Sequence, residues 1–184
     1  IVTLQEYEEV MGAQKLYDLL RFFSCPLNKE VELYLKDTSR AVQSSRMSSS
    51  VTYLAFDSKT NDLLGYFTVM MKAYSVRSDA LNSANKRLIS RFSEIDSSGN
   101  FTASVYLIAQ IGKNFAIPEN NQIKGSELLW AAMDVFRATK SAIGGKLVMI
   151  EREAEEPKLL EFYKANGFKS WTTRCNAKDG VVYD

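Results

Sequence analysis

Histidine is missing from this 184-residue chain altogether. The commonest general base and the commonest transition-metal ligand are therefore unavailable, which excludes Ser-His-Asp hydrolysis and histidine-based zinc chemistry. Cysteine is scarce: Cys25 and Cys175 stand far apart, neither at metal-site spacing, and each reads as a buried structural thiol. No metal site is expected. No apolar run approaches the roughly 18 residues of a membrane helix, and no basic segment followed by an apolar one marks a leader. The expectation is a chain with no membrane association, working in the cytoplasm.

What is present is an ordinary globular composition, 46% hydrophobic and 24% charged, which at this length predicts one domain spanning residues 1–184. The net charge is only +1, yet it is unevenly spread. Between Lys72 and Arg91 lie Lys72, Arg77, Lys86, Arg87 and Arg91 against a single acid, Asp79, whereas Glu151 to Glu161 is glutamate-rich. Such a basic cluster is either a solvated helix face or a surface for nucleic acid or an acidic ligand.

The spacing of Leu16, Leu19, Leu20 and Phe23 predicts a helix, and Val31, Leu33, Tyr34 and Leu35 a second, with Pro26 between them. Ser44 to Ser50 reads as a loop. Val51 to Phe56 and Leu63 to Met71 read as antiparallel strands joined by the turn-forming DSKTND. Ala73 to Asn100 is a polar, basic excursion with a helix-like patch from Leu81 to Phe92, its Leu88, Ile89 and Phe92 on one side. FTASVYLIAQIG, Phe101 to Gly112, has the near-continuous apolar character of a central strand. A helix from Gly125 to Lys140 follows, with Leu128, Leu129, Ala132 and Phe136 as its apolar side. Leu147 to Ile150 is a further strand, Pro157 to Asn166 a short helix stopped by Gly167, and Phe168 to Tyr183 a final hairpin.

Chemistry concentrates where the central strand gives way to the long helix, at Gln122, Ile123, Lys124, Gly125, Ser126 and Glu127. The first N–H groups of a helix have no partners in their own backbone, and the helix dipole favours negative charge there. Gly125 allows an anion to approach closely, and Lys124 and Lys113 add cations at either end of the loop. Glu127 opposes an anion unless it points away or caps the helix. The segment reads as an anion cradle, or as an ordinary helix start.

Read together, these segments resemble the GNAT family of N-acetyltransferases. The family's phosphate motif, Gln/Arg-x-x-Gly-x-Gly/Ala, matches Gln122 to Ser126 and departs at Glu127. EFYKANGF resembles the Tyr-x-x-x-Gly-Phe element of the family, with Tyr163 as its tyrosine, and Glu156 stands where many members carry asparagine. FFSCPLNKEVELYL, VTYLAFD and LLGYFTVMMK, followed by the basic excursion, are similar to the branch of toxins that acetylate aminoacyl-tRNA.

The resemblance implies an α/β (α+β) fold with a GNAT-like mixed, mainly antiparallel central sheet, a splayed fourth strand and flanking helices. It implies acetyl-CoA as cofactor, held by Gln110, Ile111, Gly112 and Lys113 on that strand and by Gln122 to Glu127 at the helix start. The Ile111 backbone N–H would face the oxyanion, and Tyr163 would protonate the leaving thiolate. Lys86, Arg87 and Arg91 would meet tRNA. Glu151 or Glu153 could take the amine proton through water, or bulk water alone could do so. The implied partners are acetyl-CoA, tRNA, an antitoxin protein and, as an open alternative, a second copy of the chain. Acetylation of a small amine or a protein amine, and a catalytically inert acyl-CoA-binding module, are the competing readings.

Overall fold

The computed structural model describes residues 1–152, 156–172, 174–175 and 182–183. Its elements in chain order are β1 (Val2–Thr3), α1 (Leu4–Met11), α2 (Ala13–Arg21), α3 (Lys29–Lys36), α4 (Ala41–Arg46), β2 (Val51–Phe56), β3 (Leu63–Arg77), α5 (Ser83–Ile89), β4 (Asn100–Lys113), α6 (Gly125–Ile143), β5 (Val148–Ile150), α7 (Pro157–Ala165), β6 (Arg174–Cys175) and β7 (Val182–Tyr183). Five strands form one mixed sheet in the order β1-β2-β3-β4-β5. β2 is antiparallel to both β1 and β3. β6 and β7 make a separate antiparallel pair. No described helix is long and apolar enough to cross a membrane.

By backbone proximity the chain divides into two compact units, Ile1–Met71 with Tyr106–Gly144, and Lys72–Val105 with Gly145–Asp184. The first is organised around Tyr66, whose ring is fully buried and whose hydroxyl donates to the Val31 carbonyl at 2.6 Å. Phe23 meets that ring edge-on at 5.2 Å, and Leu16, Leu20, Leu35 and Leu54 complete the packing. The backbones come close here because two glycines leave room: a Cβ on Gly112 would lie 2.4 Å from Val31 Cγ1, and one on Gly65 2.6 Å from the Gly112 carbonyl. Asn114, just past β4, fixes three strands of chain at once. Its Nδ2 donates to the Leu63 carbonyl at 2.8 Å, and its Oδ1 accepts from the Ser24 and Ala116 N–H groups, each at 3.0 Å.

Two helices of this unit start on side-chain caps that their sequences provide. Thr3 and Glu6 form a reciprocal cap at the start of α1. Asn28 accepts from the N–H groups of Glu30 and Val31 at the start of α3, two residues after Pro26. Cys25 between them is buried, and desolvation holds its thiol above the usual range, as befits a structural cysteine. The side chain of Cys175 lies outside the described residues.

The second unit has a smaller core of Val76, Leu81, Ile89, Phe101 and Ala103, with Tyr74, Leu147 and Trp171 against it. Asn82 caps α5 through the Asn85 N–H at 2.8 Å, and Asn85 Nδ2 donates to the Trp171 carbonyl at 3.0 Å.

Three expectations change. Ser44 and Ser45 belong to α4 rather than to a loop, because Ala41, Val42 and Ser45 form a buried face that overrides the weak helix preference of serine. The strand that begins at Leu63 runs on to Arg77, with alternating exposure that ends on buried Val76, so the basic excursion is confined to residues 78–99. On α5 and the turn after it, Ile89 alone is buried, while Leu88 and Phe92 are 39% and 37% exposed.

Candidate active site

The long helix α6 begins at Gly125, directly after Lys124 in an extended conformation (φ −75°, ψ 142°), so Gln122 to Lys124 lead into the helix mouth. The N–H groups of Gly125 and Ser126 lie ahead of the helix's own hydrogen-bond ladder. Leu128, Leu129, Ala132 and Phe136, the apolar side read from the sequence, are all buried and anchor the helix. Gln122 Nε2 reaches back to the Ile117 carbonyl at 3.4 Å, and Ile123 is half-buried.

Glu127 acts as a cap: its carboxylate accepts from the Lys124 N–H at 2.8 Å. The side chain that departs from the phosphate motif thus occupies one of the donors at the helix mouth, and it brings its negative charge with it.

Gln110, Ile111, Gly112 and Lys113 form the C-terminal end of β4, where Gly112 is buried and the other three are half-buried. The Lys113 ammonium lies 4.9 Å over the Phe115 ring, a cation–π contact that engages the amine within its own strand-end turn.

Tyr163 sits in α7, 6% exposed, and meets Phe162 and Phe168 edge-to-face at 5.2 and 5.9 Å. Burial pushes its phenol up to about 12, while the nearby charge of Arg152 pulls the other way. Arg152 itself is only 7% exposed. Sequence reading passed it over because it is embedded in a run of glutamates, and only the fold reveals its burial. Gly167, with φ +89°, ends the turn after α7 as the Tyr-x-x-x-Gly-Phe pattern demands.

Of the two candidate bases, Glu151 pairs with Lys72 at 3.2 Å, and Glu153 lies outside the described residues. Glu156 is exposed at the start of α7 and makes no side-chain cap. Among the five basic residues from Lys72 to Arg91, Lys72 is thereby paired, and Arg77 is held by Asp79. Lys86, Arg87 and Arg91 make no ion pair among the described residues, and both arginines are exposed. The strand end and the cradle belong to the first unit; Tyr163, Arg152 and the α5 cations belong to the second.

No family model matches the sequence, and no curated protein matches it. Solved structures do. AtaT complexed with acetyl-methionyl-tRNAfMet is 18% identical, with 90% of this chain and 86% of that one covered and a TM-score of 0.60. A tyrosine-to-phenylalanine mutant of KacT is 15% identical over 94% and 90%, at 0.61, and AtaTR bound with acetyl-CoA is 18% identical over 91% and 85%, at 0.54. At such identities the likeness is one of architecture: the chain has the GNAT-like fold of AtaT and KacT.

Proposed function

We propose that the protein is a single-domain, acetyl-CoA-dependent N-acetyltransferase, and that its acceptor is the amino group of an aminoacyl-tRNA in the cytoplasm. The reading is supported above all by one combination: a GNAT-like fold in which the motif at Gln122 to Ser126 opens the long helix and Tyr163 is enclosed by aromatic side chains. Solved neighbours that contain acetyl-CoA, and an acetylated aminoacyl-tRNA, add to it.

In this reading the pyrophosphate of acetyl-CoA lies against the N–H groups of Gly125 and Ser126, with Lys124 beside it. Bound acetyl-CoA supplies the activated acyl group. Gln110, Gly112 and Lys113 line its arm, and the Ile111 N–H donates to the carbonyl oxygen as charge builds there. The acceptor amine attacks the carbonyl carbon, the C–N bond forms, and the C–S bond breaks. Tyr163 gives its proton to the departing sulfur. A phenol raised to about 12 keeps that proton throughout the neutral range, as a proton donor must. The amine proton leaves to water; the pairing of Glu151 with Lys72 disfavours it as a base.

Lys86, Arg87 and Arg91, which make no ion pair among the described residues, support the tRNA acceptor, since they offer charges to the phosphate backbone. An antitoxin protein is the partner this reading supplies, as for AtaT, whose mutant toxin is found bound to the C-terminus of AtaR. Glu127 favours a second reading, a module that binds acyl-CoA without turnover. Calorimetry with acetyl-CoA, followed by thioester turnover with a panel of amines that includes aminoacyl-tRNA, separates the two. The enzyme reading requires binding and turnover with the tRNA substrate; binding without turnover on any amine leaves the module.

A further inference from the structure

β4 ends at Lys113, and the residue after it, Asn114, is only 4% exposed although its side chain is polar. Both ends of the amide are bonded: Nδ2 donates to the Leu63 carbonyl at 2.8 Å, and Oδ1 accepts from the N–H groups of Ser24 and Ala116 at 3.0 Å each. The backbone N–H of Asn114 donates to the next carbonyl, that of Leu64, at 2.8 Å, and the Phe115 N–H donates to the Ser24 carbonyl at 2.7 Å. β3 offers two consecutive carbonyls here because its register against β2 shifts. Ala55 pairs with Gly65 and Phe56 with Leu63, which leaves Leu64 as the extra residue of a bulge. The end of β4 is thereby tied both to the start of β3 and to the turn after α2.

These bonds set the direction of the N–H groups just upstream. Successive residues of a strand present their N–H groups to opposite edges, so residues two apart share an edge. The Asn114 N–H points at β3, and Gly112 shares that edge: its carbonyl would lie 2.6 Å from a Cβ on Gly65 of β3. Ile111 and Lys113, out of step with them, direct their N–H groups away from β3. An N–H that donates to a ligand must not be spent on β3, and Ile111 meets that condition. A slip of β4 by one residue would exchange the two sets and turn the Ile111 N–H inward. Asn114 opposes the slip, because the slip would break its bonds to Leu63, Leu64 and Ser24 together.

We propose that Asn114 is a positioning residue for acetyl transfer, holding the end of β4 in the register that presents the Ile111 N–H to the thioester carbonyl. It acts through Ile111 and not by contact with the reacting atoms. The inference rests on the acetyl-transfer reading above. Buried amides are suited to such a task, since losing this one leaves two N–H groups and a carbonyl unpaired at the strand end, and the backbone must shift to satisfy them.

Isotope-edited infrared spectroscopy of the full chain with acetyl-CoA labelled at the carbonyl carbon tests it, because a hydrogen bond to that oxygen lowers the stretching frequency. The wild-type chain should show a lowered carbonyl band on binding. Asn114→Ala should lose most of that shift and about tenfold or more in turnover, while affinity for CoA without its acetyl group stays within about twofold. A loss of packing alone would lower the melting temperature without separating acetyl-CoA from CoA in this way. Asn114→Asp keeps the acceptor for Ser24 and Ala116 and forfeits only the donor to Leu63, so it serves if the alanine variant does not fold; a smaller loss of the same kind is expected. A folded variant with the wild-type band and turnover overturns the proposal. So does a wild-type chain that binds acetyl-CoA with no lowered band, whereas a folded chain that binds no acetyl-CoA overturns the acetyl-transfer reading itself, and this inference with it.

Discussion

Glu127 turns back along its helix and accepts a hydrogen bond from the Lys124 N–H at 2.8 Å, placing a carboxylate at the mouth of the proposed pyrophosphate cradle. The contact gives two effects of opposite sign. It stabilises the start of α6, and it sets a negative charge where a more negative ligand would bind.

Replacing Glu127 by Ala should therefore raise acetyl-CoA affinity several-fold, the size expected for removing one charge from a helix mouth. The melting temperature of the free protein should fall slightly as the cap is lost. Calorimetry and thermal melts on the same samples check both. An unchanged or weaker affinity would mean that the ligand does not use this helix start.

Tyr163→Phe should lower turnover by about two to four orders of magnitude, the range that a positioned proton donor supplies, with acetyl-CoA binding little changed. Near-normal turnover would remove Tyr163 from the chemistry and leave it the core aromatic that its contacts with Phe162 and Phe168 describe.

The same phenol predicts a dependence on alkaline pH. Its folded value, about 12, lies above the ordinary 10.0, so the folded chain holds this proton more tightly than the unfolded chain. The resulting stability is complete below pH 10 and is lost as pH rises to about 12. The two-unit difference corresponds to about 3 kcal/mol. Urea unfolding across that window should show a slope that Tyr163→Phe flattens.

Arg87→Glu with Arg91→Glu should weaken tRNA binding across tRNA species and flatten its salt dependence by a slope of roughly two, one per lost phosphate contact. Acetyl-CoA affinity should be unchanged. Equal tRNA binding by the variant would redirect the search to a small amine.

Gly112→Ala is a structural test of the first unit. The added Cβ would lie 2.4 Å from Val31 Cγ1, and overpacking of this kind costs about 1–3 kcal/mol. A denaturation midpoint that does not move would contradict the close approach of β4 to α3.

The sequence by itself determined the paired strands β2 and β3, the central strand β4 and the helices α6 and α7, while β1 and α1 were not read from it. Periodicity identified Leu128, Leu129, Ala132 and Phe136 as the core side of α6, and turn chemistry located the hairpin at DSKTND, where Asp57 accepts from the N–H groups of Lys59 and Thr60. Local rules suffice there because each pattern repeats within a few residues. Three things lay beyond them. The helix through Ser44 and Ser45, the prolongation of β3 to Arg77 and the burial of Arg152 depend on partners distant in the chain, which periodicity does not register. The candidate site divides in the same way. Its motif residues were legible as letters, but only the tertiary structure decided that Lys72 pairs with the distant Glu151. It also decided that Glu127 caps its own helix, because the direction of a charged side chain is fixed by whichever donor the fold brings within reach.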